Sequence, residues 1–123
     1  MTEPDALRRL CLEAVRRAGL APVGELFHRF APAAGAVAGA PVGITGVVLL
    51  AESHLAVHTW PELGGVTLDV YVCNLGADNS ARAHALLADL IAAFTPGRVE
   101  RHALQRGVPQ ARAEVQARVG AVL

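Results

Sequence analysis

The stretch GVVLLAESHLAVHTWPELGG, residues 46–65, decides how this chain folds. Val47 through Ala51 is an uninterrupted apolar run of the kind a buried strand needs. It leads straight into a carboxylate, a hydroxyl and an imidazole at Glu52, Ser53 and His54. Leaving such groups buried without partners costs about 1–3 kcal/mol each, so they must be satisfied or put to use. His54 to Trp60 resumes a strand, Pro61-Glu62-Leu63-Gly64-Gly65 supplies a turn, and Val66 to Cys73 is a third strand. The result is a meander with reactive side chains at its bends.

Working outward, Val42 to Ala51 is apolar on both faces, which predicts a covered, central strand. Upstream, residues 22–30 alternate as a strand, and the Gly/Pro-rich stretch from Ala31 to Pro41 reads as a flexible loop. Residues 4–19 carry Pro4 and Asp5 at the start, an apolar stripe of Leu7, Leu10, Cys11, Ala14 and Val15, and Gly19 at the end, which predicts a helix. Cys11 on that stripe reads as a core residue. Downstream, Ala77-Asp78-Asn79-Ser80 offers N-cap residues for a helix reaching about Phe94. A strand over Arg98 to Gln105 follows, and the tail from Pro109 to Leu123 reads as an amphipathic helix. This order predicts an α+β two-layer sandwich, a mostly antiparallel sheet with helices on one face, in one domain over 1–123. The other face needs a cover, and a second copy is the expected one.

Composition narrows the function classes. Acidic and basic residues balance, five against five up to Glu52 and six against six after it, so neither nucleic acid nor an anionic membrane is an expected partner. Two cysteines sixty-two residues apart form no framework, which fits a reducing cytoplasm. The acidic start lacks the basic region of a signal peptide, and Pro41, Thr45 and glycines interrupt the apolar stretch from Ala33 to Ala51. All eleven basic residues are arginine. Without a lysine there is no Schiff-base lysine, no pyridoxal phosphate anchor and no P-loop lysine.

Spacing alone leaves three readings of Ser53, His54, His58, Glu62 and Cys73 open. One is a nucleophile with a base, though no Gly-x-Ser-x-Gly elbow is present. Another is a metal site using His54, His58 and Cys73. The third is polar residues paired within the sheet. Ser53 and His58 are five apart, so a straight strand points them to opposite faces.

The strings Phe27-His28-Arg29-Phe30, Gly43 to His54, Val57-His58-Thr59-Trp60-Pro61-Glu62 and Asp69-Val70-Tyr71-Val72-Cys73 together closely resemble the prokaryotic S-adenosylmethionine decarboxylases. The resemblance spans about residues 24–76, with a looser match to about Gly107. It implies a proenzyme that cuts itself between Glu52 and Ser53 into chains 1–52 and 53–123, converting Ser53 into a pyruvoyl group. That ketone is the electrophile a lysine-free chain otherwise lacks: it forms an imine with the substrate amine and takes up electrons as carbon dioxide leaves. The resemblance implies that His58 serves as base in self-processing, assisted by Thr45, and that Cys73 protonates the substrate. It places Phe30 against adenine, Glu62 on the ribose hydroxyls and Leu55 among the substrate-binding residues. It implies no metal. The expected product supplies aminopropyl groups for polyamine, including spermidine, synthesis, and the expected assembly is a homodimer with sites near the interface.

Several positions depart from the family pattern. An initial strand with a Gly-x-His-Leu motif is missing, Ala33 to Pro41 looks inserted, and Thr45 replaces a common serine. Leu63-Gly64-Gly65 stands where the family prefers Tyr-Gly-Tyr. These differences bear on the substrate more than on self-cleavage. Two other readings therefore stand beside the first: an ornithine or arginine decarboxylase with the same prosthetic group, and an unprocessed, non-enzymatic partner subunit. The former needs an extra carboxylate, with Glu25 or Asp69 as candidates.

Overall fold

The structure, a computed structural model, describes residues 3–32, 34–40, 42–73, 79–106 and 112–120, with backbone alone for 104–106 and 112–120. The first helix, α1, spans Pro4–Arg17. Pro4 fits the first turn, where no backbone donor is lost, and Asp5 and Arg16/Arg17 sit at the ends that suit their charges. Leu7, Cys11, Ala14 and Val15 of its apolar stripe are fully buried, and Leu10 packs half-buried beside them.

Strands β1 (Pro22–Arg29), β2 (Ile44–Leu50), β3 (Ser53–Trp60) and β4 (Gly65–Cys73) form the meander, with a 3₁₀ turn over Pro61–Leu63 between the last two. Helix α2 covers Ser80–Phe94, and β5 (Arg98–Arg106) and β6 (Arg112–Gly120) follow. The sheet order is β1-β2-β3-β4-β6-β5, and each neighbouring pair is antiparallel. Among the described residues the α+β sandwich expected from the sequence is present.

One expectation is overturned. Residues 112–120 are a strand, not a helix, and lie between β4 and β5. Ala113, Val115, Ala117 and Val119 alternate with Arg112, Glu114, Gln116 and Arg118, a period of two. The strand satisfies backbone groups along the edge of β4, pairing from Gly65↔Gly120 to Cys73↔Arg112, and this outweighs the helix propensity of Ala, Glu, Gln and Arg. Residues 107–111 and 121–123, also part of that expectation, lie outside the described residues.

Both helices pack on one face, α1 over β1 and β2 and α2 over β4 and β6, and they touch each other. Arg17 Nη2 meets Asp89 Oδ2 at 2.8 Å across that contact. Beneath them Ile44, Val48, Leu55, Val57 and Val70 of the sheet are fully buried, as is Leu86 of α2; truncating one of the leucines to alanine costs about 2–5 kcal/mol. Phe27 lies flat over Gly46, its partner in the β1–β2 register, so that any Cβ at Gly46 would collide with the ring. The opposite face is only half covered. It carries Thr45, Val47 and Leu49 from β2, His54, Ala56 and His58 from β3, and Thr67, Asp69, Tyr71 and Cys73 from β4, each partly or largely exposed. The reading of β2 as apolar on both faces holds, but within one chain its second face is open, with Leu49 49% exposed.

Candidate active site

Two sets of reactive side chains lie at opposite ends of β3. The first surrounds the β2–β3 hairpin. Leu50 pairs with Ser53, so Ala51 and Glu52 form the whole turn. Glu52 takes φ +54°, in the left-handed region. A side chain with a Cβ pays roughly 1–2 kcal/mol to sit there, and this residue supplies the carbonyl of the Glu52–Ser53 bond. Ser53 Oγ donates to the Ala51 carbonyl at 3.0 Å and accepts from the Cys73 N–H at 3.4 Å. Cys73 is held again from the far side, because Asn79 Nδ2 donates to its carbonyl at 3.2 Å. Asn79 flanks α2 as expected, but its side chain makes no N-cap bond to the helix.

The second set lies where β2 and β3 begin and end. Thr45 and His58 face each other across the ladder, with Thr45 Oγ1 and His58 Nδ1 3.1 Å apart. They line a cavity of about 450 Å³ together with Phe30, Trp60 and Glu62. His28 meets Phe30 edge-on with ring centroids 5.0 Å apart, which steadies an otherwise half-exposed ring. Glu62 is carried by the 3₁₀ turn and makes no hydrogen bond or ion pair among the described residues. Ile44 N–H donates to the buried Thr59 Oγ1 at 2.8 Å. A Cβ at Gly43 would stand 2.5 Å from the Thr59 carbonyl oxygen, so the chain can enter β2 this closely only as glycine.

Within one chain the two sets do not meet. Five residues of strand at about 3.3 Å each put Ser53 roughly 16 Å from His58. Ser53 shares the pleat of Leu55 and Val57, which are fully buried under the helices, while His58 lies on the open face. Of the residues singled out in the sequence, Phe30, Thr45, His58 and Glu62 line the cavity, and Glu52, Ser53 and Cys73 cluster at the hairpin. Leu55 joins neither set, since its side chain is fully buried in the core. Trp60, Thr59 and the connection before β2 line the cavity without having been singled out as site residues. Trp60 at 44% exposure is the one with a legible signal, an aromatic next to a turn proline.

The remaining acidic candidates lie outside the cavity lining, and Asp69 Oδ1 is buried without a hydrogen-bond partner among the described residues. Glu25 is ion-paired with Arg8 of α1 at 2.7 Å, so it is not an extra carboxylate near the cavity. Asp69 approaches His54 Nε2 at 3.8 Å, beside the stacked rings of His54 and Tyr71, and does not line the cavity. His54 and His58 share a face but are separated by roughly 13 Å of strand, too far to bind one metal ion. Among the described residues no three metal-binding side chains converge, and no helix is long and apolar enough to cross a membrane. The two thiols also differ. Burial pushes the Cys11 thiol up from 9.0 to about 12. Above pH 9.0 the unfolded chain alone ionises at this position, so its contribution to stability falls as pH rises toward about 12.

The hairpin thus sets a left-handed Glu52 directly before a serine whose hydroxyl is bonded on two sides. The comparisons say to which family the chain belongs. A family model described as S-adenosylmethionine decarboxylase matches residues 1–107, and the chain belongs to that family of carboxy-lyases. It is similar to the S-adenosylmethionine decarboxylase proenzyme of Aquifex aeolicus, 35% identical over 104 residues that make up 85% of this chain and 67% of that one. The Acidithiobacillus ferrooxidans proenzyme is 36% identical over 87% of this chain and 71% of its own length. The Pyrococcus abyssi proenzyme is 41% identical over 62% of this chain and 48% of its own. The matched region thus spans between about half and seven-tenths of these relatives.

Proposed function

We propose that this chain is a self-cleaving, pyruvoyl-dependent S-adenosylmethionine decarboxylase. The observation that carries the reading is the hairpin tip, where left-handed Glu52 directly precedes a Ser53 hydroxyl held next to Cys73. Ser53 Oγ attacks the Glu52 carbonyl carbon. The C–O ester bond forms as the C–N bond breaks, and the Ser53 amine takes the proton. A base removes the Ser53 Cα proton, and the Cβ–O bond breaks, releasing chain 1–52 with a free Glu52 carboxylate. Water then replaces the nitrogen of residue 53, which leaves as ammonia. His58 is that base, and Thr45 holds it through Nδ1, leaving Nε2 for the proton.

The residues present fit the resulting group, because residue 53 becomes a chain terminus beside the Cys73 backbone, freed from the pleat of β3. The pyruvoyl carbonyl supplies the electron sink for loss of carbon dioxide. The chain's own residues do the rest. Cys73 delivers a proton to the substrate carbon. Glu62 accepts the two ribose hydroxyls with its two oxygens, and Phe30 stacks on the base. With Glu25 committed to Arg8, nothing favours a free basic amino acid as substrate. The product supplies aminopropyl groups for polyamine synthesis.

A second copy completes the site. Ser53 and His58 are too far apart to cooperate within one straight strand: His58 lies on the half-uncovered sheet face, and Ser53 sits in the hairpin at the strand's other end. A two-fold dimer across that face sets the Ser53 end of one β3 against the His58 end of the other. Free thiols at Cys11 and Cys73 suit a reducing cytoplasm.

Intact mass under denaturing conditions tests the reading. Chains 1–52 and 53–123 are expected, the second lighter by one ammonia than its plain sequence, with carbon dioxide released from S-adenosylmethionine. A single uncut chain under all conditions would sink the proposal in favour of a non-enzymatic partner subunit.

A further inference from the structure

The cavity beside His58 has two unlike walls. On one, most of the polar side chains are committed. Thr45 and His58 bond each other, and Thr59 Oγ1 takes the Ile44 N–H, while the Glu62 carboxylate and the Trp60 indole N–H have no hydrogen-bond partner among the described residues. The other wall is the connection between β1 and β2. It contributes Ala31, Pro32, Ala36, Ala40 and Val42, none of which has a side chain able to form a hydrogen bond. This connection is tied at its base by Phe30 N–H to the Gly43 carbonyl at 3.0 Å, and turned by Ala40 N–H to the Val37 carbonyl at 3.0 Å.

Methyl groups and ring methylenes cannot read donors and acceptors. They reward close contact with an apolar surface and punish anything that leaves a gap or overlaps. A cavity of about 450 Å³ lies within the range that holds a drug-sized molecule. A nucleoside uses that space better than the side chain of a free basic amino acid.

The geometry points to Ala36 and Ala40 as specificity-determining residues: they are the wall against which the nucleoside part of the substrate packs. This rests on the S-adenosylmethionine reading above and extends it to a segment that the sequence presented as a featureless loop. The small side chains leave the cavity room beside Phe30, Trp60 and Glu62. Affinity for the nucleoside therefore depends on keeping them small.

The test is calorimetric titration of 5′-methylthioadenosine, which carries the nucleoside but neither amine nor carboxylate, into the full-length protein. Ala36→Leu is expected to weaken binding by the cut protein at least tenfold by overfilling the cavity. Val37→Leu, in the same connection but 79% exposed and outside the cavity lining, is expected to bind like the unaltered protein. Ala40→Leu serves as a second variant should Ala36→Leu fail to yield cut protein, and the same tenfold loss is expected. Equal binding by the unaltered protein and the leucine variants overturns the wall. So does an unaltered protein that releases carbon dioxide from S-adenosylmethionine yet does not bind the thioether nucleoside, while the proposed function survives. Failure of both binding and decarboxylation overturns the two together.

Discussion

The two ends of β3 are built on different principles. At the Ser53 end the chain is tight: a turn of only Ala51 and Glu52, a left-handed residue, and a serine bonded to its own hairpin and to the next strand. At the His58 end it is open: a cavity of about 450 Å³ lined by aromatic rings, one free carboxylate and a hydroxyl–imidazole pair. Covalent chemistry suits the first, because a hydroxyl fixed beside the preceding backbone loses little freedom on attacking it. Recognition suits the second.

The strongest way to break this comparison is to disable the ends on different copies. Ser53→Ala alone and His58→Ala alone each leave an uncut chain. Co-expressed, they form mixed dimers in which the intact Ser53 of one copy faces the intact His58 of the other. Cutting of the His58→Ala chain is then expected to reappear, visible by mass. If the mixture stays wholly uncut while mixed dimers are demonstrably present, the site lies within one chain and the dimer reading fails. Next in size is Cys73→Ala. Cutting should persist, because Ser53 needs only the backbone N–H of residue 73, while kcat falls roughly 100-fold for loss of a positioned proton donor. Unchanged turnover would remove Cys73 from that role.

Thr45→Val probes the open end alone. It deletes the partner of His58 Nδ1 at nearly constant volume, and one such hydrogen bond is worth about 1 kcal/mol. Cutting is expected to slow by roughly fivefold and to recover in Thr45→Ser. Binding of the nucleoside should move far less. Equal cutting rates for Val and Thr at this position would show that the ring is held in some other way.

How much of this the sequence displayed depends on the range of the interactions concerned. The meander was legible because alternation and turn residues are local signals, and so was the conflict between Ser53 and His58, which follows from a period of two. Residues 112–120 misled because Ala, Glu, Gln and Arg favour a helix in isolation, whereas the unpaired edge of β4 is visible only in three dimensions. Leu55 shows the reach of the pleat: it sits amid reactive neighbours in the chain, yet its side chain turns into the core. The wall formed by Ala36 and Ala40 left no trace, since small apolar residues in a connection carry no periodicity. Nor does any pattern in Ala51-Glu52-Ser53 reveal the sign of φ at Glu52.

That sign is open to the finest test. Glycine adopts φ +54° without the Cβ penalty but loses more backbone freedom on folding. In the uncut Ser53→Ala chain, Glu52→Gly should therefore raise stability by a net of about 0.5–1 kcal/mol, or about 2–4 °C in Tm. In the self-cleaving chain the same change should slow cutting, because part of the strain that cleavage relieves is already gone. The two effects must appear together if strain at the hairpin drives the reaction. A stabilised chain that cuts at the original rate would mean the left-handed turn serves only to close the hairpin. The contrast between the two ends would then rest on the placement of Ser53 beside Cys73, with no contribution from the bond that precedes it.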